Sequence, residues 1–424
     1  MKGPEQTVVD PSLETPNAPN SGASPETRLT RLTLAAASLL ALVLVAVIAS
    51  GGRGISFVTA TSIVKTEFTT SSTTPDTSTT NQSSVVVPSS ERHLHLYTTV
   101  PLQVPVLSLT AAHAYVVTSD GAVRHTLTWY SSNGHYVRSL SDAVALNRLG
   151  YTQYPGFSHG DPSMSVATPD GKYLWILNRS MSGQGFTAAS AHECVVNNSA
   201  TMVQPGFLYR YSVKKRTVDH AVPVGFDPSD MVLAHGGREL VVANTCSRSL
   251  TVVHLTQRNK VTTVPLTLSP DHLARSATQD LVYVTDSRSN HVLRFAPSRD
   301  EVISTLHLTS RVGAIVSMAN DARGLLVTSP DSTTLREVDR RSGRLLRSAQ
   351  FHASMSFMVP SPDGTVLYVA SPMSQVIRAL STADFSVLDS VVLTSAPSAM
   401  AYDPRTGNLW VALSNGPLDV FTTI

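Results

Sequence analysis

The chain is 424 residues long with a formal net charge of +2, and only 15% of its residues are charged, against about 25% in an average globular protein. The near-neutral balance and the absence of a Lys/Arg run argue against a nucleic-acid partner. No P-loop, Gly-x-Gly-x-x-Gly, His-Glu-x-x-His or Cys-x-x-Cys motif occurs, so no metal, nucleotide or redox motif names an enzyme outright.

Residues 1–31 read as a disordered cytoplasmic tail, with five prolines in the first 27 positions and no apolar periodicity. Leu32 to Ser50 follows as 19 residues without a charge, dominated by Leu, Val and Ala. At 1.5 Å per residue it would reach roughly 28 Å, close to the ~30 Å hydrocarbon core, so it is expected to be a single membrane-spanning helix. Arg28 and Arg31 just before it bias the N-terminus toward the cytoplasm and the remainder outside. A cleaved signal peptide ending near Val47-Ile-Ala49, which would leave a secreted protein, is the competing expectation. Residues 51–91 form the next section, and Thr59 to Ser90 holds 18 Ser or Thr among 32 residues. Such a composition cannot bury a core and reads as a disordered or glycosylated stalk.

From residue 92 onward a short apolar phrase returns seven times: Tyr115-Val-Val-Thr, Leu174-Trp-Ile-Leu, Leu240-Val-Val-Ala, Val282-Tyr-Val-Thr, Leu325-Leu-Val-Thr, Leu367-Tyr-Val-Ala and Leu409-Trp-Val-Ala. Their first residues lie 59, 66, 42, 43, 42 and 42 positions apart. A period in the low forties is one four-stranded propeller blade per repeat, so residues 92–424 are predicted to be an all-β, seven-bladed β-propeller. The sixth unit shows the order: Met355 to Pro360 as inner strand, Ser361-Pro-Asp-Gly364 as turn, then strands at Thr365 to Ser371, Gln375 to Leu380 and Val387 to Leu393. The last unit stops after three strands, and His95 to Leu102 matches the outer-strand pattern of Lys260 to Leu266. The N-terminal strand is therefore expected to close the seventh blade beside Leu418 to Thr423, leaving no open edge.

Val282-Tyr-Val-Thr285 and Ser361-Pro-Asp-Gly-Thr-Val-Leu-Tyr-Val-Ala370 resemble the YVTN-type β-propeller repeats. The resemblance covers about 330 residues and implies the propeller architecture. For function it implies only a range, from surface-layer components and binding scaffolds to relatives of lactonases and lyases.

Two cysteines occur, Cys194 and Cys246, placed after the second strands of neighbouring blades 2 and 3. They are expected to form a disulfide if the domain lies in an oxidising compartment. The two long intervals mark expansions, about Leu140 to Phe157 between blades 1 and 2 and about Arg179 to Val203 within blade 2. Loops that interrupt a strict repeat are not needed by the scaffold, and both should open on one face of the ring. Polar residues before the inner strands gather there too: His159 and Asp161, Asp227 and Asp230, Asp271 and His272, and Arg311, with His192 inside the second expansion. Of these His159, Asp161, His192, Asp227 and Asp271 are the candidate ligand-binding set. Such a ring could hold a divalent metal, or its Asp residues could simply cap turns.

Two functions follow. One is a membrane-anchored extracellular scaffold that binds a cell-surface protein or cell-wall polymer through the expanded face. The other is a lactonase-like or lyase-like enzyme with a metal at the propeller mouth and His159, His192 or His272 as general base.

Overall fold

The computed structural model describes residues 93–423, apart from 103, 121–124, 187–191, 197–198, 204, 320–323 and 331; for 192–193, 195–196 and 199–203 it describes the backbone alone. The expected tail, membrane-spanning segment and stalk lie outside the described residues. Among the described residues no helix is long and apolar enough to cross a membrane.

Seven four-stranded antiparallel sheets follow one another along the chain. Blade 1 occupies 108–141, blade 2 158–226, blade 3 228–265, blade 4 272–307, blade 5 315–350 and blade 6 357–392. Blade 7 takes three strands from 397–423 and its outermost strand from Leu94–Val100. That closing strand pairs antiparallel with Leu418–Thr423, from Leu94 opposite Thr423 to Val100 opposite Leu418. Both of its end residues, Leu94 and Val100, are buried. Blade 6 has its strands at Phe357–Pro360, Val366–Ser371, Val376–Ser381 and Val387–Val392, within two residues of the sequence expectation.

The blades are held face to face by seven hydrophobic clusters, one at each seam between neighbouring sheets, and together they close the ring. The seam between blades 7 and 1 contains Val100, Val116, Tyr130, Trp410 and Val420. A strand between two neighbours has no solvent face, and successive side chains point to opposite sides. Leu240 and Val242 accordingly enter the seam toward blade 2, while Val241 and Ala243 enter the seam toward blade 4. This double burial is why the repeated phrase is apolar at every position. The outer strands face solvent on one side and alternate instead, as Lys260–Pro265 does.

Polar residues at or just after the ends of three of these phrases tie their blade to the next. Thr328 donates its hydroxyl to the Met355 carbonyl at 3.3 Å, Thr245 donates to the Pro270 carbonyl at 2.7 Å, and Ser119 donates to the Pro162 carbonyl. Each satisfies a buried hydroxyl and a carbonyl of the adjacent inner segment, which an apolar residue there could not do. On the opposite face the Ser361-Pro-Asp-Gly364 turn forms as expected: Asp363 accepts from the Ser361 hydroxyl at 2.6 Å, and Gly364 takes φ +73°.

Candidate functional site

The inner and second strands of blade 2, Ser158–Ala167 and Tyr173–Gly183, are 10 and 11 residues long, against 4 and 6 in blade 6. Their pairing runs on from Ala167 and Leu174 to Ser158 and Gly183, past Asn178, where the third strand stops following them. The overhang carries the second expansion clear of the ring. Where the sequence reading expected a loop, the chain forms a two-stranded hairpin, His192–Val196 with Ser199–Val203. β-favouring Val195, Val196, Thr201 and Val203 account for it.

The first expansion makes a short 3-10 turn, Leu146–Leu149, anchored by the buried Leu146. Tyr151 then donates its hydroxyl to the Ala221 carbonyl at 3.0 Å and meets Phe207 edge-on at 5.4 Å. Tyr154 stacks flat on Phe186 of the second expansion, ring centres 4.0 Å apart, and both rings stand edge-on to Phe207. Contact is close enough that a side chain at Gly185 would reach 2.4 Å from the Gln153 carbonyl. The two expansions are therefore one packed aromatic platform, not two separate loops.

A covalent link extends the platform to blade 3: Cys194 and Cys246 are joined by a disulfide, with Cα atoms 5.3 Å apart. Beside it Arg179 donates Nε to the Asp227 carboxylate at 2.6 Å, and the other Asp227 oxygen lies 3.6 Å from the Cys246 sulfur. Asp227 is buried, sits at φ +50°, and receives the Thr245 amide on its carbonyl. It braces the disulfide loop, so its role in this structure is positional.

The other predicted residues are placed separately. His159 is half exposed, its Nδ1 3.3 Å from the buried Asp142 carboxylate. Asp161 sits at a bulge of the inner strand with Oδ1 buried and without a hydrogen-bond partner. Asp271 accepts the Ser287 amide at 2.7 Å, and its second oxygen is likewise buried and unpartnered. Asp230 accepts the amides of Met231 and Leu273 at 2.7 Å each, and burial raises its carboxyl above the ordinary carboxylate range while His272 pulls it back down. Among the described residues no three of His159, Asp161, Asp227, Asp230, Asp271 and His272 bring ligand atoms together at metal-binding spacing. The His192 side chain lies outside the described residues.

Two features were missed in the sequence, a pair of partner residues and a motif. Phe186 and Asp142 complete contacts whose other halves were expected. Gly156-Phe-Ser-His-Gly160 matches the Gly-x-Ser-x-Gly pattern of a nucleophile elbow, yet Ser158 opens a propeller strand and is fully buried instead of standing exposed at a strand-to-helix turn. Asn178-Arg-Ser, a glycosylation pattern in sequence, has its Asn buried and donating to the Phe207 carbonyl at 3.2 Å, so it cannot accept a glycan.

At the other mouth of the ring a cavity of about 720 Å³ is lined by the far ends of five inner strands, with Met231, Leu233, Ala274, Ile315 and Met358 on its walls. It is the apolar counterpart of the polar, expanded face. Compared with protein-family models and with curated proteins, the chain matches none. The fold itself is a seven-bladed β-propeller.

Proposed function

We propose that this chain is a YVTN-like propeller, tethered outside a membrane by Leu32 to Ser50, whose expanded face binds a cell-surface protein or cell-wall polymer. The observation that carries the reading is the stack of Tyr154 on Phe186, which fuses the only two departures from the repeat into one rigid surface. Pre-ordering two loops before a partner arrives removes entropy that binding would otherwise have to overcome. Phe157, 62% exposed, and the half-exposed His159 stand beside that surface as an apolar and a polar contact. The disulfide supports placement in an oxidising compartment. The hydrolytic alternative draws no comparable support among the described residues, where His159, His272 and the candidate carboxylates do not converge.

The test replaces residues 180–203 by a short blade-type turn in the full chain, with a Cys194→Ser, Cys246→Ser variant in parallel. Both are assayed for retention on purified cell envelopes. The shortened protein should fold and lose retention, while the cysteine variant keeps it. Retention undiminished in the shortened protein would move the site to the apolar mouth or elsewhere. For the anchor, protease added to intact cells should remove the propeller and leave a membrane-bound N-terminal remnant; release of a species beginning near Gly51 would mean a secreted protein.

A further inference from the structure

On the face away from the expansions, at the seam of blades 3 and 4, five side chains meet that no repeat pattern requires. Glu239 and His254 begin and end paired strands of blade 3 and lie directly opposite each other. His235 comes from the turn before Glu239, and Asp280 and Asp300 come from turns of blade 4. His235 Nδ1 is 2.9 Å from Glu239 Oε2 and 3.9 Å from Asp280 Oδ1. Ligand atoms of His235, Glu239 and Asp280 all fall within 4.8 Å of one another.

Two orphaned atoms distinguish this group from an ordinary ion-pair network. His254 is 2% exposed, and its Nε2 lies 3.0 Å from both Asp300 oxygens. Its Nδ1 has no hydrogen-bond partner and lies 3.8 Å from Glu239 Oε1. Asp280 repeats the arrangement: Oδ2 accepts from the Ser298 hydroxyl, while Oδ1 is buried, unpartnered and turned toward His235. Three carboxylates share the site, and among the described residues no Lys or Arg lies within ion-pair distance of any of them. A buried carboxylate oxygen without a donor is unfavourable unless something positive lies beside it.

We propose that His235, Glu239 and Asp280 hold a divalent first-row transition-metal ion of the zinc type, with His254 behind them, its Nδ1 facing the other Glu239 oxygen. An imidazole with two carboxylates suits such an ion better than calcium or magnesium, which take all-oxygen sets. Metal–ligand bonds of 2.0–2.2 Å in a tetrahedron separate the ligand atoms by about 3.4 Å, and the His235–Glu239 and His235–Asp280 separations of 2.9 and 3.9 Å lie either side of that spacing. Ser298 is the positioning residue, occupying one oxygen of Asp280 so that the other is directed inward. With Glu239 on blade 3 and Asp280 on blade 4, the ion adds a tie between two blades whose seam already holds apolar contacts and the Thr245–Pro270 hydrogen bond. This site is independent of the binding surface proposed above.

The test uses untagged full-length protein stripped with chelator and titrated with Co²⁺ and Zn²⁺. One equivalent of Co²⁺ should bind with the intense visible absorption of a tetrahedral site, Zn²⁺ should displace it, and the melting temperature should rise by about 3–5 °C at hundredfold excess over Kd. His235→Asn and Asp280→Asn alter partly exposed turn residues, so folding is retained, and each should weaken Co²⁺ binding at least tenfold. Failure of either metal to bind, or unchanged binding in both turn variants, overturns the proposal and leaves the cluster as a histidine–carboxylate network.

Discussion

The two faces of the propeller reach polar chemistry by different routes. The expanded face acquires it by insertion: extra residues lengthen two strands and add a hairpin, and a disulfide and an aromatic stack fasten them. The opposite face keeps the short turns of the repeat and alters single residues within them, such as His235 and Asp280. An insertion is paid for with ordering entropy and needs its own staples, whereas a substitution inherits the rigidity of the ring. The expanded face is thus suited to variable recognition, and the turn face to fixed geometry.

The ring beneath both faces depends on its closure, and there the largest effect is expected. Deleting Leu94 to Val100 from the full chain strips the outer strand from blade 7, removes two buried apolar residues and exposes the edge at Leu418–Thr423. Each buried Leu or Val is worth about 2–3 kcal/mol, and the exposed edge invites intermolecular pairing. The variant should lose cooperative thermal unfolding or melt at least ~10 °C lower. A melt superimposable on that of the intact protein would show that the seventh blade stands without its N-terminal strand.

The second effect is confined to the expanded face. The disulfide closes a separation of 52 residues, which in the chain-entropy model stabilises by about 4 kcal/mol, often less in practice. Cys194→Ser with Cys246→Ser should lower stability by up to that amount and raise protease sensitivity between residues 180 and 203, leaving the blade 3–4 metal site unaffected. Without reduction, denatured wild-type protein should offer no thiol to an alkylating reagent. Quantitative labelling of both cysteines would remove the bond from the account.

What the sequence displayed follows the same division. The seven phrases, the closing strand and the turn at Ser361 to Gly364 were legible because a strand buried on both sides must be apolar and a tight turn must have Gly at positive φ. The expansions were legible as interruptions of the period, and Tyr151 and Tyr154 could be placed in them. Their partners could not: Phe186 and Phe207 join them only across the fold. The set His159, Asp161, Asp227 and Asp271, expected to bind a ligand with a metal as one option, forms no metal-spaced group among the described residues, because its three carboxylates serve a strand bulge, a turn and the disulfide loop. The group that does converge, His235, Glu239 and Asp280, comes from two blades, and no spacing along one chain reveals it.

The smallest effect belongs to the turn face and concerns acid. Asp170 accepts from the Thr168 hydroxyl at 2.6 Å and from the Lys172 amide at 3.1 Å, and these contacts, the Thr168 bond foremost, hold its carboxyl down at about 2. Asp363 is lowered in the same way by Ser361 and Thr365. In the unfolded chain an Asp titrates near 3.9, so folding favours the ionised form. The stabilisation is complete above that value and disappears as pH falls from about 4 toward 2. Both groups are solvent-exposed, and screening reduces each contribution to about 0.5 kcal/mol or less. Unfolding free energies of wild type and of the Asp170→Asn, Asp363→Asn double variant should therefore differ by under about 1 kcal/mol at pH 5 and converge by pH 2. A gap that stays constant across this range would mean that the turns owe their stability to proline and glycine geometry alone, with the carboxylates contributing shape and not charge.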